Sequence, residues 1–308
     1  MHRAVLLALI FFALAPHTLF AKTIEVGADK TYKLPSAAIA AAADGDKILI
    51  APGEYFDCAI VTLNNLTIEG TGPDAAAVLT DKACGGKALL VIVGNDITVR
   101  NMTLTRARVP DGNGAGIRAE GVNLTVDGVK FINNQNGILG NLTPDGTLIV
   151  RNSEFTRNGV CSPSCAHGVY VGSAKLVHIE NSKFTDTRQG HHIKSRALRT
   201  EIIGCTIIDG PTGTASYLID VPNGGSVVIR GNTMEKGPKA DNHATAIMIG
   251  AEGVTQPTKE VTIDNNTFRN AASYNTYFVI NMTATEAMLR GNKISGSVTP
   301  LKGDGDVQ

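Results

Sequence analysis

The 308-residue sequence has no tryptophan and only six tyrosines, so it is poorly equipped to build the aromatic platforms on which neutral sugars stack. It also lacks a charge surplus, with 28 Lys and Arg against 28 Asp and Glu. No nucleic-acid partner is therefore expected, because that would call for a basic excess or stripe. The five cysteines include no Cys-x-x-Cys spacing, which removes the usual structural zinc sites, and no metal ligand set is expected. Beyond residue 21 no apolar stretch reaches the length of a membrane span, and helical periodicity is almost missing. What is present, 43% hydrophobic and 18% charged residues, is enough for a substantial core.

Residues 1–21 read as a signal peptide: His2 and Arg3 give a basic start, Val5 to Leu14 is apolar, and Ala21 is a small residue suited to cleavage. The mature chain is expected to be secreted or periplasmic. In an oxidising compartment Cys161 can pair with Cys165 and Cys58 with Cys84, leaving Cys205 as a buried thiol. The alternative is five free, buried thiols.

A short pattern recurs along the mature chain: an aliphatic residue, any residue, Asn or Gly, two residues, then an apolar one. It occurs as Ile68-Glu69-Gly70, Val99-Arg100-Asn101 with Leu104, Val126-Asp127-Gly128 with Phe131, and Val150-Arg151-Asn152 with Phe155. Five further copies centre on Asn181, Gly204, Gly231, Asn265 and Gly291, and successive copies lie 23 to 34 residues apart. Alternation of period two around each copy predicts a short strand with one buried face. Such strands are stable only when stacked, about 4.8 Å apart, so that each coil covers the edge of the next. Asn or Gly follows where the chain turns sharply. The Asn-x-Thr matches at Asn65, Asn101, Asn123, Asn141 and Asn281 arise mostly from this repeat and are not read as glycosylation sites.

One alanine-rich stretch, Pro35 to Ala43, predicts a helix placed to plug the open end of a solenoid, before Lys47–Ile50 and Ala51-Pro52-Gly53-Glu54-Tyr55. This combination resembles the pectin-lyase-like superfamily. The resemblance covers about residues 22–296 and implies an all-β, single-stranded right-handed parallel β-helix of about 9–10 coils. Residues 297–308 are expected to be a C-terminal tail. A solenoid of this kind is expected to act as a monomer. The fold hosts lyases, hydrolases, epimerases and inert adhesins, so function rests on the site.

After each turn-and-Phe element the chain offers another strand, such as Gly116–Ala119, Gly168–Val171 and His192–Ser195. With Val169 and Ile193 inside, Tyr170, His192, Lys194 and Arg196 are expected to project outward together. In the next coil either Tyr217 or Asp220 joins them, depending on register. Arg118, His191 and His243 are further candidates for substrate binding, and His167 for catalysis. This set is rich in cations and proton-transfer groups and poor in carboxylates, whereas glycoside hydrolysis uses a carboxyl pair. β-Elimination on a uronic acid needs a carboxylate-binding cation, a base and an acid. Lys194-Ser195-Arg196 is similar to the lysine and arginine that β-helical alginate and chondroitin lyases use as base and acid. The Arg-x-Pro-x-x-Arg of pectate lyases, the Asn-Thr-Asp and paired aspartates of polygalacturonases, and the Asp-Pro-His-Asp of alginate epimerases are absent.

The expectation is a lyase on a uronate-containing polysaccharide, with Lys194 or a histidine as base, Tyr170 or Arg196 as acid, and Arg118 or Arg196 holding the carboxylate. No cofactor is expected, since no acidic calcium-binding cluster stands beside Lys194 and Arg196. The alternative is a non-catalytic β-helix that binds anionic polysaccharide or serves as an envelope scaffold. A glycoside hydrolase or epimerase fits less well.

Overall fold

The computed structural model describes residues 21–162 and 164–308. Residues 1–20, most of the expected leader, lie outside them. The repeat copies form the spine of one twelve-stranded sheet that runs from Thr23–Val26 to Gly305–Val307. The apolar residue that follows each turn begins a second sheet, ten strands from Gly53–Tyr55 to Lys293–Ser295. A third sheet of ten strands runs from Ala59–Val61 to Val298–Lys302. Every strand in these sheets pairs in parallel with its counterpart one coil away, so the chain is a parallel β-helix.

Register follows the inward side chains. Val126, Val150, Ile179, Ile202, Ile229 and Ile263 are stacked partners in successive coils, and all are fully buried. In the second sheet Phe131, Phe155 and Phe184 stack with ring centroids 4.6 and 4.5 Å apart. Each such residue removes its apolar surface from water only because the next coil supplies the same residue class at the same place.

The turn positions behave as the repeat demands, with one exception. Asn101, Asn152, Asn181 and Asn265, and Gly128, Gly204, Gly231 and Gly291, all adopt positive φ. Gly70 does not; it closes the strand Thr67–Gly70. A Cβ there would lie 2.1 Å from the Asn101 carbonyl oxygen, so close approach of the next coil explains that glycine.

The helix spans Pro35–Ala40, shorter than the alanine run, and buries Pro35, Ala38 and Ile39 over the first coil. Asp57 caps it from outside, accepting from the Ser36 amide at 2.8 Å and the Ser36 hydroxyl at 3.0 Å. At the other end, residues 297–308 are not a tail. Val298–Lys302 and Gly305–Val307 pair with Thr276–Asn281 and Ala287–Arg290 and extend two of the sheets. Cys58–Cys84 and Cys161–Cys165 are disulfides. Cys205 is free and buried, and burial pushes its thiol up to about 11.

Candidate active site

The third sheet carries the chemistry. Its strands Val169–Val171, Ile193–Ser195 and Ile219–Val221 are neighbours, and their parallel register aligns Tyr170, Lys194 and Asp220 in one outward column. Just upstream, His167, His191 and Tyr217 form a second outward column. Their rings are parallel, with centroids 4.9 Å apart between the histidines and 5.0 Å apart between His191 and Tyr217. The choice between Tyr217 and Asp220 thus dissolves, because both face outward. At this corner two consecutive residues, Leu218 and Ile219, turn inward, and strict alternation fails.

The two histidines are held neutral and in one tautomer. The His191 amide donates to His167 Nδ1 at 2.9 Å, and the Tyr217 amide donates to His191 Nδ1 at 3.1 Å. A ring nitrogen that accepts an N–H carries no proton, so the proton of each neutral ring is on Nε2. Burial, reinforced by Lys194 and Arg196, drops the His167 imidazole to about 3. Burial also lowers His191 well below its ordinary value, with the neighbouring His167 and Lys194 adding to it. At neutral pH both rings are therefore hydrogen-bond donors at Nε2, not bases. His191 Nε2 is 3.4 Å from Asp220 Oδ2, while His167 Nε2 has no partner among the described residues.

Lys194 Nζ lies 3.2 Å from Asp220 and donates to Glu252 at 2.6 Å. Arg196 spans the same Glu252, at 2.5 Å, as well as Asn223 and the Tyr170 hydroxyl, to which its Nε donates at 3.1 Å. Lys194 and Arg196 each also stand 5.8 Å from the Tyr170 ring centroid. Asp220 is 2% exposed, and its Oδ1 is buried without a hydrogen-bond partner. Burial raises its carboxyl to about 6, against the pull of Lys194. Burial also acts on Glu252, yet hydrogen bonds from Lys194 and Arg196 hold it below the usual carboxylate range.

Glu252 and Asn223 were not among the sequence candidates, because both come from connections that follow strands and carry no repeat signal. Their presence corrects the expectation of few carboxylates: two cations meet two carboxylates here. Among the described residues no group of three His, Cys, Asp or Glu is placed to hold a metal ion.

Three candidates stand apart from the cluster. His192 does not project outward. It is fully buried at the inward-turning corner, with Nδ1 2.8 Å from the Thr187 hydroxyl and Nε2 2.9 Å from the buried Asp209. Its ring meets the Phe184 edge at 6.5 Å between centroids, so its role is to fill and tie the corner. Arg118 shares the column of Tyr170 but is two coils away, beyond Leu139, and pairs with Glu120 at 3.2 Å. His243 is an exposed loop residue stacked on Tyr274 at 3.7 Å between centroids.

A solenoid of stacked parallel coils with an outward polar cluster defines a class that the sequence comparison names. The right-handed β-helix region family matches residues 141–303, and the chain belongs to it. No curated protein matches the chain in sequence. Among solved structures, an alginate lyase from Paenibacillus sp. str. FPU-7 superposes with a TM-score of 0.70 at 19% identity, covering 92% of this chain and 99% of that one. A pectin methylesterase from Aspergillus niger gives a TM-score of 0.41 at 11% identity, covering 92% of this chain and 91% of that one. The mannuronan C-5 epimerase A-module from Azotobacter vinelandii gives 0.41 at 15% identity, covering 89% and 95%. At 19% identity the likeness to the alginate lyase is one of fold.

Proposed function

We propose that the protein is an exported lyase that cleaves a uronate-containing polysaccharide by β-elimination at the Tyr170–Lys194–Arg196 cluster. The observation that carries this reading is a tyrosine and a lysine adjacent in one outward column, each in a distinct hydrogen-bonding state. Tyr170 Oη accepts from the Arg196 guanidinium, which fixes the oxygen's position beside Lys194. Lys194 Nζ faces two carboxylates, the bonding pattern of an ammonium. Tyr170 then takes the proton α to the uronate carboxylate, a C–C double bond forms, the glycosidic C–O bond breaks, and Lys194 protonates the departing oxygen. His167 Nε2–H is the free donor for the substrate carboxylate, on which negative charge builds during proton removal. This allocation reverses the sequence-based one for Lys194 and excludes the histidines as bases. The structural likeness to an alginate lyase supports the same reaction class.

The pairing of Asp220 with Glu252 around one lysine supports a second reading, hydrolysis by two carboxyl groups in unlike environments. It is weaker because Lys194 sits between them, where a glycosidic oxygen would have to lie.

The test is incubation with alginate, polygalacturonate, glucuronan and glycosaminoglycans, followed at 235 nm, where unsaturated uronates absorb. New absorbance that disappears in Lys194→Ala and Tyr170→Phe is expected. Reducing ends without absorbance would instead establish hydrolysis. Binding with neither product would establish a non-catalytic polysaccharide-binding protein.

A further inference from the structure

Beside the cluster, at the corner between the second and third sheets, lies a cleft of about 530 Å³ lined by Arg108, Gln135, Arg188, Gln189, Thr214 and Asp241, among others. Arg188, Gln189 and Thr214 come from the coils that carry Lys194 and Asp220, and Arg108 and Gln135 from the two coils before Tyr170; Gln135 precedes Asn136, which meets the His167 amide, and Gln189 is two residues before His191.

The cleft concentrates two arginines against a single acidic lining residue, Asp241, which pairs with neither. Arg188 reaches back from its own coil to donate to Asn133 Oδ1 at 2.5 Å, and Arg108 donates to the same oxygen at 2.9 Å from the other side. Two guanidinium groups thus share one neutral acceptor. Neither has a carboxylate within 4.0 Å among the described residues, nor does neighbouring Arg157, whose carbonyl accepts from Arg188. Arg188 Nε is buried and has no hydrogen-bond partner. A buried, unpaired guanidinium N–H is costly, and an arriving oxyanion removes that cost. Burial, followed by mutual repulsion, makes Arg108 less basic than an ordinary arginine, which agrees with this crowding.

The polar partners are arranged for the same task. Gln135 Oε1 is spent on the Val109 and Gly114 amides, at 2.8 and 2.7 Å, and its Nε2 on the Val109 carbonyl. Gln189 Oε1 accepts from the Cys161 amide at 2.7 Å, which leaves its Nε2 donor unpartnered among the described residues. Thr214 Oγ1 accepts from the Gln189 amide at 2.9 Å, so its hydroxyl proton remains to be donated. Asp241 is the one acidic lining residue; it is exposed and comes from a later coil. Arg108, Arg188, Gln189 and Thr214 therefore supply the donors of the cleft, and Asp241 its one acid.

We infer that the Arg108–Arg188 cleft is a second anion site that binds the carboxylate of a uronate residue other than the one cleaved. The inference rests on the polysaccharide reading of the neighbouring cluster, but the site binds whether or not that cluster is catalytic. A planar carboxylate suits two converging guanidinium groups, each able to offer parallel N–H donors.

The experiment uses the full mature protein labelled with ¹⁵N, in wild-type and Lys194→Ala forms, and follows the arginine Nε–H signals by NMR. Short oligomers of mannuronate, guluronate and galacturonate, and their carboxyl-reduced counterparts, are titrated in. A saturable shift of the Arg188 Nε–H signal with at least one acidic series, and none with its reduced counterpart, is expected. Arg108→Gln should weaken that affinity roughly tenfold, the loss of one charge-assisted hydrogen bond. Arg108 has an exposed side chain that is only partly shielded by its neighbours and holds only the Ala107 carbonyl and Asn133, so this variant should fold normally. Arg188→Lys, which keeps the charge but loses the fork, should weaken it further.

Absence of a shift with all three acidic series would overturn the site, as would equal shifts with the reduced oligomers or unchanged affinity in Arg108→Gln. The 235 nm assay is decided separately. Product formation with no arginine response removes this site and leaves the lyase, while an arginine response without product keeps the site and removes the lyase.

Discussion

From Ala88 to Leu139 the outward columns of the third sheet are mostly apolar: Ala88, Val91, Ala115 and Leu139 form a small buried cluster of their own, and only Arg118 and Asn136 interrupt it. One coil later the same columns hold His167 and Tyr170, then His191 and Lys194, then Tyr217 and Asp220. Beyond these, Met248 and Ile280 return the face to apolar character. The parallel register continues across these boundaries, and one inward column, Leu90, Ile117, Ile138, Val169, Ile193, Ile219, Ile247 and Val279, stays aliphatic throughout. The difference is therefore not required by folding. Three coils of one surface spend buried area on charged and titratable groups, a cost that the flanking coils, Arg118 apart, avoid by using Ala, Val, Leu, Met and Ile.

Substitutions that make the middle coils resemble their neighbours should remove the chemistry and keep the fold. Tyr170→Phe keeps the ring packed on Leu139 and the apolar cluster but removes the hydroxyl that meets Arg196. We expect turnover to fall by on the order of 10²–10⁴, the usual weight of a positioned proton carrier, with little change in thermal midpoint. Lys194→Ala should cost as much with a natural substrate. With an activated leaving group, which needs no proton, Lys194→Ala should recover part of the loss and Tyr170→Phe should not. The reverse pattern would exchange the two roles.

A second effect concerns acid stability. His167 has its folded value depressed to about 3 from an ordinary value near 6.5, so the folded state binds fewer protons than the unfolded one between these limits. The stability that comes from keeping it neutral is complete above pH 6.5 and is lost as pH falls toward 3. Asp220, raised to about 6, works in the opposite direction, favouring the folded state as pH falls through 6. His167→Asn, which places in this coil the residue found at the same column position in the preceding one, should flatten the decline below pH 6.5. The change is about 1.4 kcal/mol per pH unit, one proton's worth, read from denaturant unfolding at pH 5 and 6. An unaltered slope would mean that His167 is protonated in the folded state.

Asp220→Asn should act on rate more than on fold. It removes one of two carboxylates that face Lys194, and with it the carboxyl that burial raises to about 6. An inflection near pH 6 in the pH–rate profile of the wild type should therefore disappear in the variant. An inflection that persists would show that a group other than Asp220 sets it.

The coil architecture was legible in the sequence because it is written in single residues. Val126 or Phe131 must recur at one place per coil, and Asn101 or Gly128 must tolerate positive φ. Tyr170, Lys194 and Arg196 were legible for the same reason, since alternation on a strand puts them on one face. What failed was local to the corner. His192 and Leu218 precede their strands where the chain bends between sheets, so two successive residues enter the core and period two gives the wrong side. Glu252, Asn223 and Arg188 reach their partners from 27 to 58 residues away, through connections whose shape no repeat encodes. The C-terminal strands were missed because Val298–Lys302 contains Pro300 and lacks the repeat's turn.

The smallest expected effect bounds the site on its N-terminal side. Arg118 stands in the column of Tyr170 but two coils away, where Glu120, itself held by Lys87 at 2.7 Å, neutralises it. Leu139 separates it from the cluster, and the Arg118–Glu120 pair is about one-quarter exposed. Partly solvated pairs of this kind contribute under about 1 kcal/mol, and Lys87 remains to hold Glu120. Arg118→Ala should therefore lower stability by less than about 1 kcal/mol and leave KM within about twofold of wild type. A tenfold rise in KM would show that substrate extends over the apolar coils, and the change of character at Leu139 would then divide binding from catalysis within one groove instead of marking its end.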